Sequence, residues 1–216
     1  YQYPCGTAYR AIAADFQKDY PHAILLVNRD GKLRELHKTL EQDCTLSMVT
    51  GADKPGHQTY ERSAILLMLK AFYDVAGREH VKNIRVEFSL SNALFCRASG
   101  TFTVDAGLLG RVEARMRELA AQALPIEKRA VDIEEAMAFF NAHGMADKAK
   151  LLKYRISSRV NLYTLDGFTD YFYGYMVPDT GYLKWFALEP FEDGFILRLP
   201  ALENPEQVGA FTPSMK

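Results

Sequence analysis

The sequence predicts an α+β fold in two consecutive modules. In residues 1–50, short β-type runs and turn residues surround a single amphipathic helix. From residue 59 a long helical pattern begins, with apolar residues at three- and four-residue spacing, and amphipathic helices then alternate with strands. The stretch "TGADKPGHQ" at 50–58 carries Gly and Pro between the two patterns, so we expect a linker there.

The first module contains a short strand "YQY", a turn, a helix and three further strands. Thr7 stands where it can cap the helix "AYRAIAADFQ". The strands are predicted at "AILLVN", "KLREL" and "CTLSMV", with "RDG" as a hairpin turn between the first two. We expect a sheet of this kind to need one more strand ahead of Tyr1.

The second module, residues 57–200, begins with the long helix "TYERSAILLMLKAFYDVAG". The other predicted helices are "TVDAGLLGRVEARMRELAAQAL", "IEEAMAFFNAHG" with Asp132 as its cap, and "ADKAKLLKYR". The predicted strands are "NIRVEF", "ALFCRAS", "IEKRAV", 159–165, 168–177, "YLKWFALEPF" and "GFILRLP". Residues 201–216 are polar and contain Pro, so we predict a linker towards a missing C-terminal domain.

Composition excludes several classes of function. The chain has 216 residues, 48% of them hydrophobic and 25% charged, with a formal net charge of −1. This composition is typical of a globular protein, and the net charge is too small to attract DNA or a membrane surface. The longest strongly apolar run, "AILLML" at 64–69, is too short to cross a bilayer. We therefore expect no DNA and no membrane as partners.

Cysteine usage favours a reducing compartment. Cys5, Cys44 and Cys96 are odd in number and form no CxxC pair, which favours the cytoplasm over a disulfide framework. Cys96 lies inside the predicted strand "LFCRAS", without a nearby His or helix N-terminus to lower its pKa. A buried structural thiol is therefore favoured over a nucleophile.

The sequence offers few candidate catalytic residues. The sequence contains no GxxxxGK[ST], GxGxxG, HExxH or GxSxG motif. The five histidines fall mostly in predicted loops or at element ends, where a surface or capping role is expected. Glu134 and Glu135 lie at the start of a predicted helix, where carboxylates interact favourably with the helix dipole. This role is favoured over that of a general acid. No catalytic residue is assigned from these patterns.

One basic stretch leaves two interpretations open. Five cations occur within a dozen residues, with Asp147 in opposition; they are Lys148, Lys150, Lys153, Arg155 and Arg159. Such a run is either a solvated helix face or a patch for RNA or nucleotide phosphate.

The order of the modules resembles the N-terminal region of threonyl-tRNA synthetases. Residues 1–50 are similar to the TGS domain, a β-grasp module, here truncated because its first strand is absent. Residues 57–200 are similar to the domain that follows it, the SAD or editing domain. The landmarks are "RSAILLMLKAF", "EARMRELAAQALPIEKRAV" and "DYFYGYMVPDTG". The resemblance implies a domain that removes mischarged serine from tRNA with the help of a bound metal ion.

The metal ligands of that family are replaced here. The resemblance places the helical HxxxH motif on Arg62 and Leu66, and the later CxxxH motif on Phe172 and Met176. Arginine stays protonated, Leu and Phe offer no donor, and a lone thioether is a poor zinc ligand. We expect a metal-free pseudo-pocket lined by Leu66, Phe172 and Met176, with Arg62 at its rim.

A second resemblance concerns the whole protein. The same pair of modules without the metal motif is similar to the N-terminal half of a bacterial nucleoside (uridine-type) kinase family, supported by "LLKYRISSRVNLYTLDG" and "DYFYGYMVPDTGYLKWF". This resemblance implies a non-catalytic ligand-sensing or RNA-interaction module, with ATP and magnesium used only by a kinase domain outside this chain. Two alternatives stay open: an editing hydrolase acting without metal, and a structural or dimerising scaffold.

The former cleft keeps groups that suit an anion. Arg62 remains charged, and the chain adds Lys153 and Arg155, with Tyr60 and Tyr154 as rings that can stack on a base. We expect weak binding of a nucleotide or RNA phosphate at these residues. A homo-oligomer is also compatible with the sequence.

Overall fold

The computed structural model describes residues 1–153 and 158–211, without the side chains of residues 146 and 147. The helices are α1 Tyr9–Phe16, α2 Lys54–Ala76, α3 Ala106–Ala121, α4 Ile133–Ala142 and α5 Ala146–Lys153. The strands are β1 Ile24–Arg29, β2 Lys32–Glu35, β3 Leu46–Thr50, β4 Val81–Leu90, β5 Ala93–Gly100, β6 Ile126–Asp132, β7 Arg159–Leu165, β8 Phe168–Tyr171, β9 Ala187–Phe191 and β10 Gly194–Arg198. The predicted α+β class is confirmed.

The chain folds into two compact units. Unit 1 comprises residues 1–124 and 175–216, of which the structure describes residues up to 211, and unit 2 is the continuous segment 125–174. The units are defined by compactness. The predicted functional boundaries at 50 and 57 therefore remain a prediction.

Unit 1 begins with an antiparallel sheet in the order β2-β1-β3. Helix α1 packs on this sheet through Tyr9 and Ile12, which join Ile24, Val27 and Leu36 in one apolar cluster. The expected strand at "YQY" is not formed. Thr7 does not cap α1, because its hydroxyl donates to the Pro4 carbonyl oxygen and the N-cap position belongs to Ala8.

The linker expected at 50–58 is instead the start of α2. The helix begins at Lys54, and the Asp53 carboxylate accepts hydrogen bonds from the Thr50 backbone N–H and hydroxyl. Gly56 allows this turn to approach β3, since a Cβ there would lie 1.9 Å from the Thr50 carbonyl oxygen. The linker prediction was wrong because Pro here lies at the start of a helix and Gly allows a close backbone contact.

Helix α2 is buried around most of its circumference. The apolar face formed by Met68, Leu69 and Phe72 is only part of its buried surface, because Leu66, Leu67 and Ala71 are fully buried as well. The helix packs against α3 and the β1–β3 sheet, and Phe72 stacks on Phe195 of the second sheet. This sheet is antiparallel, in the order β4-β5-β10-β9.

Unit 2 is a three-stranded antiparallel sheet, β6-β7-β8, with helices α4 and α5. Asp132 stands at the N-cap position of α4 as predicted, but its side chain makes no capping hydrogen bond. The strand predicted at 168–177 ends at Tyr171, and Gly174 adopts φ +118° in the irregular segment that follows. Residues 170–176 therefore do not alternate between two faces as expected.

Candidate functional site

The four positions that the resemblance compares with metal ligands are divided between the two units. Arg62 and Leu66 lie one turn apart on α2 in unit 1, which also contains Met176, whereas Phe172 belongs to unit 2. Leu66 and Met176 are 0% and 1% exposed, so both are part of the interior of unit 1. Phe172 is half-buried and lies edge-on to Tyr163, with ring centroids 6.5 Å apart.

Side chains from α2 and β2 hold the backbone around Met176. Arg62 Nε donates to the Tyr175 carbonyl oxygen at 3.2 Å. The buried Glu35 carboxylate accepts from the Met176 N–H at 3.0 Å. Ser63 Oγ accepts from the Val177 N–H at 3.0 Å and contacts Met176 Sδ at 3.4 Å. Hydrogen bonds therefore connect α2 to the segment that carries the later motif.

The residues at these positions do not fit the metal ion that the resemblance implies. A guanidinium, an isobutyl group and a phenyl ring provide no lone pair for zinc, and the Met176 thioether already contacts a hydroxyl. Within residues 1–153 and 158–211, no three His, Cys, Asp or Glu side chains converge as a metal site would require. We derive no chemical step through a metal here.

The surroundings of Tyr60 do not fit the stacking role predicted for its ring. Tyr60 is 6% exposed, and its hydroxyl donates to the Trp185 carbonyl oxygen and accepts from the Trp185 N–H, both at 2.8 Å. Burial raises the pKa of Tyr60 above its ordinary value. The ring of Tyr60 is thus packed in the interior instead of being presented for stacking. Lys153 is exposed on α5 in unit 2, and Tyr154 and Arg155 lie outside the described residues.

Unit 2 contains a charged pair that the sequence did not reveal. The Lys148 ammonium on α5 donates to the carboxylate of Asp170 on β8, which also accepts from the Tyr171 N–H. Asp170 is 4% exposed, so its carboxylate is largely removed from water, whereas Lys148 is half-buried. Sequence analysis identified only Asp147 as an acid near this basic stretch, because a partner 22 residues away on another element leaves no local pattern. A shielded carboxylate beside an ammonium can orient a water molecule or an ester group.

Cys96 is the buried thiol that the sequence predicts. It is 0% exposed in β5, and burial raises the pKa of the thiol to about 12. A thiol with this pKa is protonated at neutral pH and is a poor nucleophile.

Each histidine contacts either a backbone carbonyl oxygen or one side chain. His57 bonds the Pro200 carbonyl oxygen, His143 bonds the Phe139 carbonyl oxygen and His80 bonds the Thr101 hydroxyl. His22 faces Glu206 and His37 faces Glu35. These contacts fit the structural roles expected for them from the sequence.

The described residues form a mixed α+β fold in which Arg62, Leu66, Phe172 and Met176 offer no metal site. No protein-family profile matches the chain. It is 34% identical over 163 residues to a threonine–tRNA ligase of Methylococcus capsulatus, covering 74% of this chain and 25% of the relative. Threonine–tRNA ligases of Symbiobacterium thermophilum and Paraburkholderia phymatum are 29% and 30% identical over 87% of this chain, which covers 28% and 29% of those relatives.

The chain thus resembles threonine–tRNA ligases over most of its length and spans about a quarter of the length of these relatives. The prediction of a module attached to a nucleoside kinase is wrong, because the similarity leads consistently to tRNA ligases. The structure describes no helix in residues 1–153 and 158–211 that is long and apolar enough to span a membrane.

Proposed function

We propose that this chain is the editing-type region of a threonyl-tRNA synthetase-like protein and hydrolyses an aminoacyl-tRNA ester without a metal ion. The observation that carries the proposal is the similarity to threonine–tRNA ligases over 74–87% of the chain. The replacement of the former ligand positions by Arg62, Leu66, Phe172 and Met176 supports metal independence. The partner that this function requires is an aminoacylated tRNA.

The fold assignment that accompanies this proposal is a β-grasp-like TGS module in residues 1–50, followed by an SAD-like domain in residues 57–200. The β2-β1-β3 sheet with α1 across it supports the first module. The position of Arg62 and Leu66 one turn apart on a long buried helix supports the second.

Asp170 and Lys148 are the groups that we propose for the chemistry. Ester hydrolysis needs a water to lose a proton as its oxygen bonds the carbonyl carbon, and the carbonyl oxygen then gains negative charge. The Asp170 carboxylate accepts that proton, and the Lys148 ammonium stabilises the oxyanion. The proton then passes to the ribose oxygen as the ester bond breaks, leaving a free amino acid and a free tRNA.

The test is deacylation of seryl- and threonyl-tRNA under single-turnover conditions with excess protein. We expect hydrolysis of the seryl ester that is unaffected by EDTA. We expect Asp170→Asn to slow it by about a hundredfold or more, the range for loss of a general base. Lys148→Met should slow it as well, whereas Glu203→Ala on the exposed surface should not.

Two outcomes would each contradict a different part of the proposal. Hydrolysis that EDTA abolishes and zinc restores would overturn the metal-free chemistry. No hydrolysis of either ester, with tRNA still bound, would reduce the chain to a tRNA-binding module and overturn the catalytic proposal.

A further inference from the structure

A polar cavity in unit 1 is formed by three separate segments of the chain. His57 and Glu61 lie one turn apart on α2, the turn at 91–92 joins β4 to β5, and residues 199–203 follow β10. The cavity has a volume of about 340 Å³, within the range of small-molecule binding pockets. None of its lining residues belongs to the pair that we propose for ester hydrolysis.

Hydrogen bonds connect the three segments around this cavity. The His57 Nε2 atom lies 3.0 Å from the Pro200 carbonyl oxygen. The Leu199 N–H donates to the Asn92 carbonyl oxygen, also at 3.0 Å. Helix α2 and the β4–β5 turn are therefore both bonded to the segment that follows β10, so the cavity does not need a ligand to assemble it.

The cavity offers mainly hydrogen-bond acceptors. Because a carbonyl oxygen can only accept, a neutral His57 donates through Nε2 and keeps Nδ1 as an acceptor. The Glu61 carboxylate is half-buried, and no residue that the structure describes forms a hydrogen bond or ion pair with it. The hydroxyls of Ser89 and Ser91 can accept as well. These groups suit a ligand that carries positive charge and several N–H donors.

Apolar side chains line the same cavity. Leu94 and Leu199 are both 4% exposed, and Leu202 is half-buried. Such a surface can cover a short hydrocarbon chain. An amino acid fits less well than a simple amine, because its carboxylate would meet no Lys or Arg among the described lining residues.

Ser91 is held in an unfavourable backbone conformation beside the cavity. Its φ of +54° lies in the left-handed region, which glycine adopts without strain and serine does not. Strained residues of this kind concentrate at ligand sites, where the side chain has a use that offsets the cost. At this position a glycine would relieve the strain but would remove a hydroxyl from the cavity wall.

We infer that this cavity binds a small aliphatic amine, with its ammonium group among His57, Glu61 and Ser91 and its hydrocarbon stem against the leucines. An ammonium has three N–H donors, and these three side chains provide an acceptor each. The bond to the Glu61 carboxylate is charge-assisted and should contribute most to affinity. Binding leaves the ligand chemically unchanged, and the site does not depend on the proposed hydrolysis.

The experiment measures binding of n-butylamine to the full chain at neutral pH by ligand-observed NMR titration. Uncharged n-butanol and zwitterionic γ-aminobutyrate are the comparison ligands, and both should bind at least about tenfold more weakly. Glu61→Gln should weaken n-butylamine binding by about tenfold or more, because it removes the charge and keeps the shape. Glu127→Gln, at an exposed position on β6, is the matched control and should leave the affinity unchanged.

A second variant tests the role of the strained turn. Ser91→Gly should weaken n-butylamine binding several-fold without lowering the unfolding temperature, because glycine accepts φ +54°. Thermal unfolding of every variant separates a lost contact from a lost fold.

Three results would each overturn the inference: no binding of n-butylamine, equal affinity for n-butylamine and n-butanol, or unchanged affinity in Glu61→Gln. Tighter binding of γ-aminobutyrate than of n-butylamine would also overturn it, since the cavity would then recognise a carboxylate. The probe contains no ester, so these outcomes are separable from those of the deacylation test.

Discussion

Met176 is held by both its backbone and its side chain. Its backbone N–H is bound by Glu35, and its sulfur contacts the hydroxyl of Ser63, itself a residue of α2. Arg62, one residue earlier on the same helix, bonds the carbonyl of the residue before Met176. Side-chain hydrogen bonds thus link a helix and a late segment where the resemblance implies ligands of one metal ion.

Cysteine reactivity gives a prediction at the scale of the residue. Cys5 is exposed and Cys96 is fully buried with its pKa raised to about 12 by burial. We expect iodoacetamide at about pH 8 to modify Cys5 in the folded protein and to spare Cys96 until denaturant is added. Peptide mass mapping measures both sites, and rapid native labelling of Cys96 would contradict its burial.

The same thiol gives a direction for the pH dependence of stability. A thiol in the unfolded chain ionises near pH 8.5, whereas the folded Cys96 stays protonated to a higher pH. The folded state therefore binds more protons above about pH 8.5, and the free energy of unfolding falls as pH rises. Urea unfolding at several alkaline pH values should show a smaller fall in Cys96→Ala than in the unaltered chain.

At the scale of the element, two helical glycines form a matched pair. Gly56 in α2 leaves no room for a Cβ, which would meet the Thr50 carbonyl oxygen at 1.9 Å, whereas a Cβ on Gly110 in α3 meets nothing within 4 Å. We expect Gly110→Ala to raise the free energy of unfolding by about 0.4–1 kcal/mol. Gly56→Ala should lower it by about 3 kcal/mol, because backbone must move.

Urea denaturation of both variants measures these changes. Equal effects of the two substitutions would mean that α2 does not begin against β3 as described.

The elements show what could be predicted from sequence and what could not. Strands β1, β2 and β5 and helices α2 and α3 follow from periodicity, because each buries a repeating apolar pattern. The start of α2 at Lys54 was missed because Gly and Pro occur both in linkers and in the first turn of a helix. The Lys148–Asp170 pair was missed because it joins distant segments. The sequence shows which residue types stand at the positions that the resemblance compares with metal ligands. It does not show that β8 ends at Tyr171, because this end depends on local backbone geometry.

At the scale of the whole molecule, the two chain segments that make up unit 1 are bonded to each other. The Thr180 N–H donates to the Leu124 carbonyl oxygen at 2.9 Å, and the Leu124 N–H donates to the Thr180 hydroxyl at 2.8 Å. We expect unit 1 to fold alone when residues 125–174 are replaced by a short Gly-Ser linker, because that bridge lies within unit 1. Circular dichroism and a single cooperative unfolding transition are the measurements. A chain that fails to fold would show that unit 1 depends on unit 2.

Metal content is a second prediction at this scale. Arg62, Leu66 and Phe172 offer no zinc ligand and the Met176 thioether is a poor one, so the purified chain should contain far less than one zinc per chain after dialysis. EDTA should leave its unfolding temperature unchanged, because no folding free energy comes from metal binding. Elemental analysis and a thermal unfolding curve test this. Stoichiometric zinc that EDTA removes with a fall in the unfolding temperature would contradict the prediction.

The hydroxyl of Tyr60 has a wider consequence. By donating to the carbonyl and accepting from the N–H of Trp185, one oxygen atom provides both contacts that a residue of a neighbouring strand would provide. It occupies the backbone just ahead of the edge strand β9, which begins at Ala187. Tyrosine here acts as a one-residue substitute for a strand, and phenylalanine would leave the Trp185 N–H and carbonyl oxygen without this partner.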